Sequence, residues 1–291
     1  NIAVFRKETL YQKMRALIIY LVISAVFIGC TPILSIDAST QSVYHFSDTD
    51  KNISLLDISE TFGTYDGSFV LYDNNLDSWK IYDLEEATKR IPPESTYKIY
   101  DALLGLESGI ITPEHSSMTW NGDAFPFPSW EADQDLNSAM QNSVNWYFQA
   151  IDSQLGINRV QEFLNKIEYG NQTTSSNLDL YWSDFSLKIS PLEQVTLLKK
   201  FNTNEFHLNF QNVFSVKNAI KIASTPNGNF YGKTGTGRVN GQDINGWFIG
   251  YVETSDNSYY FATNIQSDSN ATGKKAFEIT SDILKKLHIW N

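Results

Sequence analysis

The chain contains 291 residues, of which 42% are hydrophobic and 14% aromatic, so it can bury the core of one large domain or two small ones. A formal net charge of -11 excludes a broad basic surface, and with it nucleic acid as a partner, because phosphate neutralisation needs clustered Lys and Arg. The single cysteine, Cys30, excludes an intramolecular disulfide, and the four histidines lack the spacing of a metal motif, so we expect no metal site.

The first predicted element is a transmembrane helix over residues 14–34. The sequence is apolar from Ala16 to Cys30 and mostly apolar to Leu34, which is about the shortest length that spans a bilayer. Four basic residues precede the apolar run: Arg6, Lys7, Lys13 and Arg15. By the positive-inside rule, we expect residues 1–13 to be a cytoplasmic stub and the C-terminal domain to be extracellular, attached to the cell membrane by this single pass.

The same segment has a second interpretation, as the signal of a lipoprotein. Met14 would then be the start, and the residues from Phe27 to Cys30 the cleavage site, with Cys30 carrying the lipid. We favour the anchor, because residues 1–13 have the basic, amphipathic character of a lead-in to a membrane helix. The polar residues 35–54 are predicted to be a linker, and residues 55–291 the folded domain.

The elements that follow begin with strands and continue with helices. From Gly67, apolar and polar residues alternate across an Asn-Asn turn, which predicts a hairpin. The stretch PPESTYKIYDALLGLESG has apolar residues at helical spacing and ends at Gly109, which predicts a helix. Three further helical patterns lie between about Leu136 and Leu198: SAMQNSVNWYFQAIDSQLG, INRVQEFLNKI and SPLEQVTLLKKF.

The C-terminal third returns to strands. Its patterns are NFYGKTGTG, NGWFIGYVET and SYYFATNIQ, and a helix from about Lys274 to Leu287 closes the chain. Strands, a helical insert, more strands and a last helix predict an α+β domain with helices packed on an antiparallel sheet.

A serine and a lysine lie one helical turn apart where the helix after residue 92 begins. Ser95 alone is typical of a helix cap, whose hydroxyl satisfies free backbone amides. Lys98 is on the same helix face, close enough for its amine to reach the Ser95 hydroxyl. Apolar residues follow Lys98 and predict its burial, which lowers the pKa of a lysine toward the neutral form that accepts a proton. The pair therefore has the chemistry of a nucleophile and its base.

Two other stretches offer partners for this pair. GKTGTG, residues 232–237, puts small residues on a predicted strand, beside which the backbone of a ligand can lie. It supplies a positive charge and two hydroxyls: Lys233, Thr234 and Thr236. QNSVNWYFQ supplies Ser143 and Asn145 within a helical pattern. Taken singly, the first is also typical of a glycine-rich turn with a surface lysine, and the second of polar residues on a solvated helix face.

Together these motifs resemble the penicillin-recognising serine enzymes, and within them the class D beta-lactamase branch. The motifs, in the order and separation of that family, are Ser95-Thr-Tyr-Lys98, Ser143-Val-Asn145, Tyr169-Gly170-Asn171, and Lys233-Thr-Gly235 followed by Trp247. The resemblance runs from about Gly67 to the end of the chain. It implies the serine beta-lactamase and penicillin-binding-protein fold of class D type, in which helices pack on an antiparallel sheet and form a helical subdomain.

A narrower resemblance links the chain to the extracellular sensor domain of the antibiotic receptor proteins, the sensor-transducers of inducible beta-lactamase and methicillin resistance in Gram-positive bacteria. It rests on STYKIY, NSVNWYFQ, YGNQ, SLKISPLEQV, YGKTGTG, NGWFIGYVE and FATNIQ. In that family the sensor follows the last membrane helix, and a cytoplasmic zinc-protease region precedes this helix. The resemblance implies a C-terminal fragment that binds beta-lactam antibiotics, with the zinc-protease region absent here.

The resemblance also implies a role for each site residue. Ser95 attacks the lactam carbonyl, Lys98 takes its proton, and Ser143 relays a proton to the leaving nitrogen. In this branch the lysine acts in its N-carboxylated form, so carboxylation of Lys98 by CO2 is implied, with Trp182 in contact with the carboxylated group. The residues expected to bind the antibiotic are Lys233, Thr234, Gly235 and Thr236. The backbone amides of Ser95 and Thr236 are expected to form the oxyanion hole.

Asn145 bears on the difference between a receptor and an enzyme. Deacylating relatives usually carry an aliphatic residue at this position, and the receptors carry asparagine. The Asn145 amide would hydrogen-bond Lys98 and favour the uncarboxylated lysine, which removes the base after acylation.

Two other features do not follow the family pattern clearly. The loop after Asn171 lacks the Gly-Gly that relatives often place before the tryptophan, and Arg238 is either a carboxylate ligand or a surface charge.

Three functions share this chemistry. We favour a beta-lactam receptor with a long-lived acyl-enzyme. A membrane-attached or lipoprotein class D beta-lactamase would share every catalytic residue but hydrolyse the acyl-enzyme. A D-alanyl-D-alanine peptidase or transpeptidase would apply the same serine-lysine chemistry to peptidoglycan.

Overall fold

The structure is a computed structural model that describes residues 52–291. The predicted cytoplasmic stub, the transmembrane helix of residues 14–34 and most of the predicted linker lie outside the described residues. Between residues 52 and 291, no helix combines the length and the apolar character needed to cross a membrane. The membrane anchor and the lipoprotein signal therefore both stay predictions.

A seven-stranded sheet forms the centre of the domain. Its strands are β1 (Ile53–Leu55), β2 (Asp66–Asp73), β3 (Ser78–Tyr82), β4 (Lys221–Thr225), β5 (Gly228–Val239), β6 (Gln242–Glu253) and β7 (Ser258–Gln266). Their order across the sheet is β1-β3-β2-β7-β6-β5-β4. The prediction of an antiparallel sheet is wrong at one edge, because the three-residue strand β1 pairs with β3 in parallel. The other neighbouring pairs are antiparallel, so the sheet is mixed.

Helices lie on both faces of this sheet. They are α1 (Ser59–Phe62), α2 (Leu84–Thr88), α3 (Lys98–Glu107), α4 (Leu136–Gln141), α5 (Asn145–Leu155), α6 (Ile157–Ile167), α7 (Pro191–Asn202), α8 (Phe210–Ala219) and α9 (Gly273–Lys286). Short 3-10 helices cover Glu94–Tyr97 and Pro128–Trp130. The α+β order of strands, helical insert, strands and last helix agrees with the prediction.

Alternation along β2 shows how the sheet supports two hydrophobic cores. Phe69 and Leu71 pack in the cluster that contains Ile279 of α9. Val70 and Tyr72 pack in a larger cluster with the helices of the insert. Because successive side chains of a strand point to opposite faces, one strand contributes to both cores. Each buried side chain of this size stabilises the fold by about 1.5–3 kcal/mol relative to exposure.

The structure breaks the first helical pattern of the insert in two. α4 ends at Gln141 and α5 begins at Asn145, and between them Ser143 has a left-handed backbone with φ of 54°. The prediction that Ser143 lies within a helix is therefore wrong. Met140, Val144 and Phe148 explain the error, because they are buried and keep a helical spacing across the turn. The turn, as shown below, points Ser143 toward a lysine on β5.

Candidate active site

Ser95 lies in the 3-10 helix Glu94–Tyr97, which runs directly into α3. Lys98 is the first residue of α3, and its Nζ donates a hydrogen bond to Ser95 Oγ at 2.8 Å. Pro93, and not Ser95, takes the N-cap position of the 3-10 helix. The serine is therefore paired with the lysine one turn away, and it does not cap the helix.

The amine of Lys98 is buried, with only 1% of the residue exposed. Burial is the main cause that lowers the pKa of Lys98 well below its ordinary value of 10.5, and the positive charge of Lys233 lowers it further. The nearby carboxyls of Asp101 and Glu94 act in the opposite direction. The balance favours a neutral amine, the form of lysine that can accept a proton.

Asn145 contacts the same amine from α5. Its Oδ1 accepts a hydrogen bond from Lys98 Nζ at 2.7 Å. The bond that the receptor resemblance implies is therefore present, and the lysine amine touches the serine hydroxyl and an amide oxygen together. The effect of this bond on deacylation stays a prediction.

Ser143 meets Lys233 across the gap between the insert and the sheet. Lys233 Nζ donates to Ser143 Oγ at 3.0 Å and to the backbone oxygen of Thr234 at 3.1 Å. Lys233 is 5% exposed, and its burial lowers the pKa of the amine to about 7. Near neutral pH this lysine can therefore both hold and release a proton.

Strand β5 passes directly beside the nucleophile. A Cβ at Gly235 would lie 3.2 Å from Ser95 N and 3.2 Å from Pro93 O, so a side chain there would crowd the turn. The next residue, Thr236, accepts a hydrogen bond on its Oγ1 from the backbone amide of Gly273, at 2.9 Å. The strand is thus fixed from behind by the first residue of α9.

These groups surround a cleft of about 410 Å³. The sequence-predicted residues that line it are Ser95, Ser143, Asn145, Thr234, Gly235 and Thr236. Lys98, Lys233 and Trp182 are buried behind its surface. Sequence reasoning missed an aromatic side of the cleft, formed by Phe127 and Trp130, whose rings lie 5.2 Å apart. The only sequence signal for it is the cluster of aromatic residues and prolines in FPFPSW.

Trp182 and the Tyr-Gly-Asn motif lie behind the lysine. The ring centroid of Trp182 is 5.8 Å from Lys98 Nζ, so the two expected neighbours are close. Gly170 has φ of 50°, and a Cβ there would lie 1.9 Å from Lys188 O, so the motif requires glycine. Asn171 donates to Ser186 O at 2.7 Å and accepts from Lys188 N at 2.9 Å. The motif therefore ties down the loop that carries Trp182, without the Gly-Gly of the relatives.

Arg238 lines the cleft at a bulge of β5, where the register with β6 shifts after Gly237. Its Nε and Nη2 donate to the two carboxylate oxygens of Asp243 at 2.7 and 3.2 Å. The sequence leaves Arg238 open as a carboxylate ligand or a surface charge. In the structure it faces the cleft, 61% exposed, with its charge already balanced by Asp243.

Replacing Arg238 by alanine is expected to slow acylation by a carboxylate-bearing beta-lactam by no more than about threefold, because an exposed ion pair contributes little energy. Asp243→Asn should instead raise the rate, since it frees the guanidinium charge. Second-order acylation rate constants at low and high salt would measure both effects, which should shrink with salt. A loss of more than about tenfold in Arg238→Ala would make Arg238 a principal carboxylate ligand.

Two carboxyl groups meet in the interior between α3 and α5, one turn beyond Lys98. Asp101 and Asp152 are both fully buried. Burial raises the pKa of each above its ordinary value of 3.8, and the pKa of Asp101 is raised further by the charge of Asp152. Two adjacent buried carboxyls do not both ionise at low cost, so the pair keeps a proton at neutral pH.

Asp101→Asn is expected to make stability less dependent on pH. Because the folded-state pKa lies above the unfolded value of 3.8, the folded protein keeps a proton that the unfolded chain releases, and the free energy of unfolding falls as pH rises above that value. Asparagine does not titrate, so the melting temperature of the variant should fall less than that of the wild type between about pH 5 and 8. Calorimetry across this range measures the slopes. Asp268→Asn, at an exposed carboxyl, is the control, and equal slopes for Asp101→Asn and wild type would contradict the prediction.

Among residues 52–291, no cluster of three or more His, Cys, Asp and Glu side chains could hold a metal ion.

The family model described as the penicillin binding protein transpeptidase domain matches residues 64–285. The chain is 44% identical to "Regulatory protein BlaR1" of Bacillus licheniformis over 283 residues, which cover 97% of this chain and 46% of that relative. It therefore spans about half the length of that protein.

The solved structures that are similar to the chain include a receptor domain and a beta-lactamase. The first is the "C-terminal domain of the Bacillus licheniformis BlaR penicillin-receptor", with a TM-score of 0.80 and 46% identity, covering 82% of this chain and 98% of that chain. The second is "Class D beta-lactamase BAT-2", with a TM-score of 0.76 and 36% identity, covering 81% of this chain and 97% of that chain. The α+β fold of class D type expected from the motifs is thereby confirmed.

Proposed function

The chain belongs to the penicillin binding protein transpeptidase family, and we propose that it is the antibiotic-binding part of a membrane-anchored beta-lactam receptor. In this proposal a beta-lactam acylates Ser95, and the long-lived acyl-enzyme signals the induction of resistance genes. The likeness to a regulatory protein and to a penicillin-receptor domain supports this function over that of a beta-lactamase.

The observation that carries the proposal is the double contact of the Lys98 amine, with Ser95 Oγ at 2.8 Å and Asn145 Oδ1 at 2.7 Å. A neutral amine has two N–H groups and one lone pair. One N–H can bind Asn145 while the lone pair accepts the proton of the Ser95 hydroxyl. The arrangement therefore allows Lys98 to take the proton during attack by Ser95, and the bond to Asn145 holds the amine in place afterwards.

Acylation begins when Ser95 Oγ attacks the carbonyl carbon of the lactam and its proton passes to Lys98. The carbonyl oxygen becomes negatively charged, and the backbone amides of Ser95 and Thr236 stabilise it by hydrogen bonds. The bond between the carbonyl carbon and the ring nitrogen then breaks, which leaves an ester on Ser95. The nitrogen takes a proton as it leaves.

Ser143 supplies that proton in this mechanism. Its Oγ accepts a hydrogen bond from Lys233, so its own O–H is free to point to the nitrogen. As Ser143 gives up its proton, it can regain one from the Lys233 ammonium, whose pKa is about 7. The proton that Lys98 took from Ser95 balances the one that Lys233 loses.

Recognition of the antibiotic is assigned to β5. Lys233 contributes positive charge toward the carboxylate of the antibiotic, and the hydroxyls of Thr234 and Thr236 donate to it. Gly235 lets the antibiotic lie against the strand, because it has no side chain beside the nucleophile. The Gly273 amide bonds the Thr236 oxygen, so the Thr236 O–H remains a donor.

Persistence of the ester is assigned to the surroundings of Lys98. The buried neutral amine is also the form that CO2 can carboxylate, and a carbamate beside Trp182 would be a base that activates water against the ester. We propose that the bond to Asn145 keeps Lys98 uncarboxylated, and that after acylation its amine holds the proton taken from Ser95. Without a base that activates water, the ester on Ser95 survives.

The cellular setting belongs to the same proposal. Residues 14–34 would anchor the protein in the cell membrane, residues 1–13 would be cytoplasmic, and the domain from residue 55 would be extracellular. A zinc-protease region of the same receptor would precede residue 1 and carry the output. The net charge of -11 gives no support for nucleic acid as a partner.

The experiment that tests this function is a time course by intact mass spectrometry of the purified chain with benzylpenicillin, with Ser95→Ala as control. We expect an adduct of one penicillin that depends on Ser95 and persists for longer than a bacterial generation. An adduct that vanishes within seconds while penicilloate accumulates would make the protein a class D beta-lactamase. Cleavage of a cell-wall pentapeptide would indicate a D-alanyl-D-alanine peptidase, and the lack of a Ser95-dependent adduct would exclude both receptor and beta-lactamase.

A further inference from the structure

Glu94 directly precedes the nucleophile and has no part in the proposed mechanism. Its burial and its backbone conformation are nevertheless unusual. The residue is 6% exposed although its side chain carries a carboxyl group. Its φ of 51° is in the left-handed region, where a residue with a side chain is strained. Strain of this kind persists only where the surroundings hold it, and it clusters at functional sites.

Hydrogen bonds hold the backbone around Glu94 from two sides. On the sheet side, Asn245 Nδ2 donates to Pro92 O at 3.1 Å, and Trp247 Nε1 donates to the same oxygen at 2.9 Å. On the loop side, the Glu94 amide donates to Trp182 O at 3.1 Å. Residues 92–94 are therefore fixed between β6 and the loop of Trp182, immediately before Ser95.

The Glu94 side chain adds a further contact between this segment and the sheet. Its Oε1 accepts a hydrogen bond from Asn245 Nδ2 at 3.2 Å. It packs against β5 at Gly237, where a Cβ would lie 2.4 Å from Glu94 Oε1. Gly237 directly follows Thr236. The side chain thus links the turn that carries the Ser95 amide to the strand that carries the Thr236 amide.

The groups that face the Glu94 carboxyl leave it without a strong cationic partner. The sheet neighbours of the carboxyl, Gly237 of β5 and the amide of Asn245 on β6, carry no charge, and the cationic group that acts on it is the amine of Lys98 on α3. Burial raises the pKa of Glu94 to about 8, and the Asn245 bond and the charge of Lys98 oppose this rise only in part. At neutral pH the carboxyl is therefore mostly uncharged and does not repel a developing oxyanion.

We propose that Glu94 is a positioning residue for acylation: its carboxyl, held by Asn245 and packed on Gly237, keeps the strained turn that sets the Ser95 amide opposite the Thr236 amide. The inference rests on the proposed acylation of Ser95. It assigns to Glu94 no contact with the antibiotic, and it predicts an effect on the rate of the chemical step with little effect on binding.

The test compares Glu94→Gln and Glu94→Ala with wild type in the full chain, purified in detergent. The dependence of the acylation rate on benzylpenicillin concentration separates the binding constant from the rate constant of acylation. Glu94→Ala should lower the rate constant about 10- to 100-fold and leave the binding constant nearly unchanged, because the oxyanion amides lose their alignment. Glu94→Gln keeps the shape and the bond to Asn245, so it should restore most of the rate at pH 7.

A pH profile adds a result that a purely structural role would not produce. As Glu94 ionises, the ratio of the Glu94→Gln rate constant to that of wild type should rise about tenfold or more with a midpoint near pH 8, because only the wild type gains a negative charge beside the oxyanion. The ratio also cancels the titration of Lys233, which both proteins share and which Glu94 does not shift.

Several results would overturn the proposal. They are a Glu94→Ala rate constant within about twofold of wild type, a Glu94→Gln defect as large as that of Glu94→Ala, or a flat pH ratio. If near-UV circular dichroism shows that Glu94→Ala does not fold, Glu94→Gln and its pH ratio decide alone. Failure of the proposed function is a separate result, because wild type itself would then form no Ser95-dependent adduct, or one that vanishes within seconds.

Discussion

Replacement of Lys98 by methionine is expected to slow acylation of Ser95 by about a thousandfold, within the range of general-base contributions. Lys98 Nζ is 2.8 Å from Ser95 Oγ, and its lowered pKa makes it able to take the proton during attack. Methionine fills much of the same volume beside Phe148 and Trp182 but cannot accept the proton. Removing a buried amine also removes its desolvation cost, so the variant should stay folded.

The measurement is the second-order rate constant for adduct formation, followed by mass spectrometry, together with the melting temperature. Lys199→Met is a matched control, because Lys199 Nζ also lies over an aromatic ring, 4.5 Å from the centroid of Tyr72, but does not line the cleft. The control should acylate at the wild-type rate. A Lys98→Met variant that is folded and acylates within about tenfold of wild type would show that another group is the base.

The second large effect is expected on the lifetime of the ester and not on its formation. Asn145→Val removes the oxygen that accepts from Lys98 Nζ at 2.7 Å and puts an aliphatic side chain in its place. Lys98 is then free to act as a base toward water, directly or as its carbamate. We expect the acyl-enzyme to decay about a hundredfold faster, a typical contribution of one general base.

Intact mass spectrometry after removal of free antibiotic measures this decay, and labelled bicarbonate would report the carbamate of Lys98 by NMR. Asn142→Val is the control, since Asn142 lines the same cleft but is not a partner of Lys98. A lifetime that is the same in Asn145→Val and wild type would remove Asn145 from the explanation of persistence.

The chemistry of the site could be predicted from the sequence because its spacing is local. Ser95 and Lys98 are one helical turn apart, and Lys233 to Thr236 lie on one strand, so short-range geometry already groups them. The contact between Lys98 and Asn145 crosses 47 residues and depends on how α3 and α5 pack, which periodicity does not specify. Only the family resemblance pointed to it.

The elements that we did not predict from the sequence have weak hydrophobic patterns, and each has a physical reason. β4 is an edge strand with mostly exposed side chains, so it shows no alternation of buried and exposed residues. β1 is three residues long, and its last two side chains are exposed. α8 carries two exposed aromatic residues, Phe210 and Phe214, which blur the apolar face expected of a surface helix.

The place of β2 in the sheet constrains how the domain is made. β2 is an early strand, yet its neighbour on one side is β7, with Asp66 paired to Gln266 and Asp73 to Tyr259. Contacts of such high sequence separation form slowly, because much of the chain must be closed into a loop before they are gained. During synthesis of the polypeptide, the edge of β2 that pairs with β7 stays unpaired until residues 258–266 have been made. A nascent or truncated chain that lacks them would expose unpaired strands, which are sites of aggregation.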